Sequence, residues 1–155
     1  MEPKVGITKK DLEASIDRLT IVLADEMVLY VKTRKFHWNV SGNSFMELHK
    51  LFEAQYTELE HIIDEVAERI SKLGGNAIGT MKEFVEHSNL KENPANIDQK
   101  AMIKELLADH EIVLKQLRDF IKVTDDTNDF GTADFMTALL QKHESQSWML
   151  RKYEK

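Results

Sequence analysis

The chain has 155 residues, contains no cysteine and carries a formal net charge of −6 at pH 7. With 42% hydrophobic residues it can bury the core of one domain, so we expect a single domain over residues 1–155 with a flexible tail at 1–7. The lack of cysteine excludes disulfides and thiolate metal sites, which leaves nitrogen and oxygen as the ligands for any metal. The negative charge argues against binding nucleic acid by charge alone.

The apolar residues recur at helical spacing through most of the chain, which predicts an all-α fold. Four long helices are expected, at residues 8–36, 44–73, 98–123 and 133–153. Helix-capping side chains are expected at Thr8, Ser44, Thr80 and Asp98. The segment 76–96 is a long crossover with one short helix starting after Thr80. Four helices with a single long crossover favour a ferritin-like four-helix bundle.

No stretch of the sequence is long and apolar enough to cross a bilayer, and residues 1–10 lack the apolar run of a secretory signal. We therefore expect a cytoplasmic protein without a membrane partner. The sequence also contains no Gly-rich phosphate loop and no alternating strand pattern, so nucleotide-binding α/β folds are set aside.

Four potential metal ligands share one stripe of the second helix: His49, Glu53, Asp64 and Glu68. At ~100° per residue, their side chains fall within a sector of ~100°. His49 and Asp64 are nevertheless fifteen residues apart in the sequence, or ~22 Å along the helix axis at ~1.5 Å per residue. One chain alone is therefore expected to be unable to close a site with these ligands.

The spacing of these ligands is symmetric, which suggests how the site could close. The midpoint between His49 and Glu68 coincides with the midpoint between Glu53 and Asp64, next to Glu58. Two copies of the helix crossing antiparallel about a twofold axis at this point would bring each half of the site to the other half. The smallest unit with a complete site would then be a dimer.

His37, near the end of the first helix, adds a second imidazole to the ligand set. A lone histidine or acid on a helix is usually structural or merely solvated, but the shared register of these five residues would be a coincidence on a solvated face. The mixture of imidazole and carboxylate suits iron with open coordination positions. Manganese, zinc and calcium remain alternatives on this reasoning.

A competing motif is Glu58-x-x-His61, the i, i+3 pair expected of di-iron carboxylate bundles. Such bundles need a second pair of this kind in the same chain. Leucine occupies the corresponding earlier position before both His110 and His143, so the second pair is missing. An intrachain di-iron site is therefore disfavoured.

Two further features have both a structural and a functional interpretation. Trp38, directly after His37, is most simply a core or interface aromatic, but it could also take up stray one-electron equivalents near an oxidation site. An acidic cluster surrounds the start of the last helix, where acids commonly act as caps. Its alternative role is an ion-entry pore where three copies meet, lined by Asp125, Asp126, Asp129 and Asp134.

Five segments, from the end of the first helix into the last one, carry a resemblance to a known family. They are FHWNV at 36–40, FMELHKLFEAQY at 45–56, DEVAERISKLGG at 64–75, DDTNDFGTAD at 125–134 and HESQSWML at 143–150. In these segments the chain resembles the Dps-like mini-ferritins, the DNA-binding proteins from starved cells.

The resemblance implies a hollow shell of twelve identical subunits that oxidises Fe(II), commonly with hydrogen peroxide, and stores ferric mineral. Such a ferroxidase would protect against oxidative damage, and its cofactor would be iron at a mono-iron or di-iron site. The catalytic metal ligands implied are His37, His49 and Glu53 from one subunit, with Asp64 and Glu68 from its twofold partner.

The alternative is a DNA-compacting protein, associated with the nucleoid, in which the metal site is secondary. The resemblance permits DNA binding, but each end of this chain offers only three basic residues, and the net charge repels phosphate. Twelve copies of a short basic tail could still strengthen a weak contact. Retention of DNA by the purified protein is the observation that separates the two functions.

Overall fold

The protein is described by a computed structural model over residues 3–154. Within that range there are five α-helices and no strand, which confirms the predicted all-α bundle with a short helix in the crossover. The helices are α1 (Lys9–Asn39), α2 (Phe45–Lys72), α3 (Met81–His87), α4 (Gln99–Asp126) and α5 (Phe130–Arg151), followed by a 3₁₀ turn (Lys152–Glu154). No helix of this part of the chain is long and apolar enough to span a membrane.

The predicted tail at 1–7 begins with Met1 and Glu2, which lie outside the described residues. Residues 3–7 are not helical, and the side chain of Ile7 packs against the hydrophobic core. The segment therefore contacts the bundle near the start of α1.

Most helix caps are the predicted ones, because their side chains reach the free backbone N–H groups of the first turn. The Thr8 hydroxyl accepts from the N–H of Asp11, and the Asp98 carboxylate accepts from the N–H of Ala101. Thr80 forms a full capping box at the start of α3. The prediction of Ser44 as a side-chain cap was wrong, since its backbone (φ −103°, ψ 27°) is not extended and its hydroxyl makes no capping bond.

The last connection is tighter than predicted. The helix α4 continues to Asp126, and α5 begins at Phe130 instead of after Thr132. Asn128 turns the chain with a positive φ of 61°, a conformation that asparagine tolerates better than most residues. Asp129 then caps α5 by accepting a hydrogen bond from the N–H of Thr132.

The core lies between two helix pairs, in which α1 packs along α2 and α4 packs along α5. The apolar stripes of all four long helices meet there, as their spacing predicts. The largest fully buried side chains include Phe36 on α1, Phe52 on α2, Leu117 on α4 and Met136 on α5. Their burial fixes the rotation of each helix and hence the face that carries the candidate ligands.

Polar bonds, from buried to exposed, attach the crossover to α1. The Asp25 carboxylate accepts from the Ser88 hydroxyl, the Asn89 N–H and the Gln116 side chain, each at 2.7 Å. Burial raises the pKa of Asp25, and these donors act against that rise. The Lys35 ammonium donates to the carbonyl oxygen of Ala95 at 2.8 Å. The long connection therefore has a defined path across α1 and α4.

Lys32 joins α1 to α4 inside the bundle. Its ammonium lies 2.7 Å from the Asp109 carboxylate and 2.9 Å from that of Glu105, and its side chain is only 4% exposed. Burial raises the pKa of Asp109, while the bond to Lys32 acts in the opposite direction. Removing the lysine would leave a buried acid without its counter-charge.

We expect Lys32→Met to destabilise the fold by about 3–5 kcal/mol, the usual cost of breaking a buried pair from one side. The control is Lys82→Met, because Lys82 forms an exposed ion pair with Glu86 and should change stability by less than about 0.5 kcal/mol. Denaturant unfolding at one fixed protein concentration measures both. Equal effects of the two substitutions would contradict the role of Lys32.

Candidate metal centre

His37 and His49 lie face to face where α1 ends and α2 begins. The turn between the helices stacks their rings with centroids 3.8 Å apart and planes 18° apart. The His37 Nδ1 is 2.8 Å from the backbone oxygen of His49, and the His49 Nδ1 is 2.9 Å from the backbone oxygen of His37. Two residues twelve positions apart in the sequence thus hold each other in place.

This reciprocal bonding fixes the protonation of both rings. A carbonyl oxygen can only accept, so each Nδ1 must carry the hydrogen and donate it. In a neutral imidazole the lone pair then lies on Nε2, which is the state needed to bind a metal. The backbone of this turn therefore holds two imidazoles side by side in the tautomer that is able to bind a metal through Nε2.

Aromatic residues and one arginine surround the histidine pair. The Tyr56 ring meets His37 edge to face at 5.2 Å. The Arg34 guanidinium lies over Tyr56 at 4.5 Å and over Trp38 at 5.5 Å, and it donates a 2.8 Å hydrogen bond to the Tyr30 hydroxyl. Stacking on these rings holds the arginine against Tyr56, which itself contacts His37.

The surface next to the histidine pair is unusually apolar. Trp38 is 65% exposed, Met46 54% and Phe45 40%. The prediction of Trp38 as a core aromatic was therefore wrong, and its alternative position at an interface remains. Exposed apolar side chains grouped in this way are typical of a protein–protein contact surface.

Among the described residues, no predicted acidic ligand completes a three-residue metal site with His37 and His49. Glu53, Asp64 and Glu68 are all exposed on α2, and Glu68 forms a 3.0 Å ion pair with Lys72. In residues 3–154 no three histidine or acidic side chains are placed to hold one metal ion. Within this part of the chain, the candidate ligands therefore do not form a metal site by themselves.

The bundle core contains a second group of ionisable residues that the sequence reasoning missed. His143 of α5 lies between Glu26 of α1 and His110 of α4. Its Nε2 is 2.7 Å from the Glu26 carboxylate, and its Nδ1 is 2.9 Å from Nδ1 of His110. All three side chains are fully buried. Each stands at a position where the helical spacing calls for an apolar core residue, which is the signal that could have revealed them.

Polar side chains from α2 and α5 extend this layer. The Gln146 side chain donates to the Glu58 carboxylate at 2.6 Å, and that of Gln55 donates to the backbone oxygen of Gln146 at 3.3 Å. The inward pair of α2 is therefore Gln55 and Glu58, while His61 is exposed. Because His61 is exposed, it does not point into the bundle centre together with Glu58, so the alternative motif at Glu58 and His61 does not supply an inward-facing pair of ligands.

The acidic cluster at the start of α5 divides into two parts. Asp129 is 1% exposed, and besides capping α5 it accepts a 3.2 Å ion-paired bond from Arg69. It faces the protein interior, as the capping interpretation predicts. Asp125, Asp126 and Asp134 are exposed, so only these three could line a pore between copies.

Comparison with known proteins places this architecture in a family. A family model for the ferritin-like domain matches residues 16–154. The solved Dps structure from Vibrio cholerae O1 superposes with a TM-score of 0.94 at 32% identity, over 99% of this chain and 97% of that one. Its description calls it a member of a broad superfamily of ferritin-like diiron-carboxylate proteins.

Two sequence relatives are similar over nearly their whole length. The DNA protection during starvation protein 2 of Bacillus anthracis is 36% identical over 138 residues, covering 89% of this chain and 94% of the relative. A low temperature-induced protein of Nostoc is 40% identical over 151 residues, covering 96% and 84%.

The chain therefore belongs to the ferritin-like family of four-helix proteins. Within it, the chain is of the Dps type, as the resemblance of its sequence motifs predicted. This membership supports iron binding and a protective role.

Proposed function

We propose that the protein is a ferroxidase that oxidises Fe(II) at sites shared by two twofold-related chains. The observation that carries this proposal is the reciprocal bonding of His37 and His49, which leaves both Nε2 lone pairs free for a metal. The exposed apolar side chains beside these histidines support the second chain.

Each chain would supply half of every site. His37, His49 and Glu53 would come from one chain, and Asp64 and Glu68 from the other. Neutral imidazoles bind Fe(II) without adding charge, whereas the carboxylates stabilise the extra positive charge of Fe(III). Oxidation would therefore be favoured by Glu53 and by the two carboxylates that arrive from the partner chain.

Iron is the substrate and the cargo in this proposal, bound as one or two ions per site. Hydrogen peroxide is the expected oxidant, with dioxygen as the alternative, and each peroxide would take two electrons from two Fe(II) ions. The product would be ferric mineral inside a dodecameric shell. Consuming Fe(II) and peroxide together removes both reagents of hydroxyl-radical chemistry, which is how the protein would protect the cell.

Iron would enter the shell through pores lined by acidic side chains. The exposed Asp125, Asp126 and Asp134 are suited to attract cations where copies meet. Asp129 is buried, forms an ion pair with Arg69 and caps α5, so it is not assigned to the pore.

DNA binding is the second candidate function, favoured by the names of relatives such as the DNA protection during starvation protein 2. The net charge of −6 per chain opposes it. We place the protein in the cytoplasm, with any nucleoid association depending on weak contacts repeated over the shell.

Replacing both His37 and His49 by glycine should slow Fe(II) oxidation at least tenfold, since both imidazole ligands are lost. The appearance of Fe(III) absorbance after mixing with Fe(II) and peroxide measures the rate. The matched control is His87→Gly, because His87 is an exposed histidine at the end of α3. Light scattering checks that both variants assemble as the unaltered protein does. An unchanged rate in the double variant would remove the two histidines from the mechanism.

Trp38 is proposed as an electron sink close to the site. The chain has two tryptophans, so Trp148→Phe leaves Trp38 as the only one and Trp38→Phe leaves Trp148. We expect peroxide to reduce the indole fluorescence of the iron-loaded Trp148→Phe variant and to spare that of Trp38→Phe. Iron-free samples of each variant serve as controls. Retained fluorescence of Trp38 would count against this role.

A further inference from the structure

Three hydrogen-bonded side chains that are buried in the bundle core take no part in the proposed iron chemistry. Glu26, His143 and His110 come from α1, α5 and α4, and none of them exposes any surface. They are joined by bonds of 2.7 and 2.9 Å. Ionisable groups are costly to bury unless they are paired, so this arrangement raises the question of what it does.

The hydrogen bonds limit which atoms of these three side chains can carry a proton. If Nδ1 of His110 donates to Nδ1 of His143, then Nε2 of His143 donates to the Glu26 carboxylate. Each ring N–H of the two histidines then has an acceptor. Nε2 of His110 then carries a lone pair, and this atom has no hydrogen-bond partner among the residues that the structure describes. An added proton at that nitrogen would be a buried N–H and a buried charge without any acceptor.

We propose that the hydrogen-bonded series Glu26–His143–His110 is an acid-sensitive lock. It holds α1, α4 and α5 together at neutral pH, and the helices separate when acid forces these side chains to take up a further proton. The proposal concerns the bundle itself and is independent of the iron chemistry. It ties the integrity of the fold, and of anything stored by its assembly, to the pH of the surroundings.

The other charged groups that these helices turn inward are already engaged. Asp25 of α1 is bonded to the crossover, and Lys32 of α1 is paired with Asp109 of α4. Glu58 of α2 accepts from Gln146, and Asp129 at the start of α5 is paired with Arg69. Among the carboxylates of the described residues, only Glu26 is hydrogen-bonded to either histidine. It is bonded to His143, at the end of the series opposite to Nε2 of His110.

Burial is the main reason that the pKa of His110 lies well below its usual value near 6.5, and the electrostatic interaction with the neighbouring His143 acts in the same direction. In the folded protein His110 therefore stays neutral as the pH falls through 6.5, while in the unfolded chain it takes up a proton. Its contribution to stability is complete above about pH 6.5 and is lost progressively below it.

The test compares the unaltered protein with His110→Gln between pH 8 and pH 5. For each proton that the protein takes up on unfolding, the unfolding constant should rise about tenfold for each pH unit by which the pH is lowered. Denaturant titrations at fixed protein concentration and ionic strength give this slope. Below pH 6.5 we expect His110→Gln to take up fewer protons on unfolding than the unaltered protein, by up to one, and therefore to show a smaller slope. The control, His87→Gln, removes an exposed histidine and should follow the unaltered protein.

Equal slopes for His110→Gln and the unaltered protein would overturn the proposal, as would an equal loss in His87→Gln. If His110→Gln does not fold, the exchange of the histidine C2 hydrogen in the unaltered protein decides instead, because this exchange needs a protonated, accessible ring. At pH 6 we expect His110 and His143 to exchange at least tenfold more slowly than His87. Similar rates at the three histidines would refute the lock.

Discussion

The two hydrogen bonds that His37 and His49 exchange with each other's backbone oxygen are the interaction on which the proposed function depends. They join the end of α1 to the start of α2, and they place the hydrogen of each ring on Nδ1. Without them either ring could rotate or adopt the other tautomer, and its metal-binding nitrogen would be lost. The tight turn between the two helices is therefore part of the candidate site as well as of the fold.

The four-helix frame separates two kinds of polar group. The acidic ligand candidates of α2 are exposed and His49 is half-buried, whereas Glu26, His110 and His143 cross the centre of the bundle. Di-iron bundles place their ligands in that centre. Here the centre is filled by imidazoles, amides and carboxylates that are hydrogen-bonded to one another. The site we propose lies instead at the outside of α1 and α2, where a second chain would complete it.

Much of this organisation could be predicted from the sequence, because helical spacing and the positions of Thr8, Thr80 and Asp98 are local signals. The stacking of His37 on His49 could not, since it depends on the path of the turn between their helices. The buried layer was missed because a histidine or a glutamate at a core position looks like any other polar residue until its neighbours on other helices are known. The predicted start of α5 is too late, because the polar composition of residues 124–132 assigns all of them to the connection, although Asp129 already caps the helix.

The central claim is that each site is completed by two chains, and mixing two defective variants tests it most directly. One variant carries His37→Gly and His49→Gly, and the other carries Asp64→Asn and Glu68→Gln. In a mixed dimer one site would lack both halves and the other would be intact, so random mixing should restore Fe(II) oxidation to about a quarter of the unaltered rate. A mixture no more active than its separate components would contradict the account.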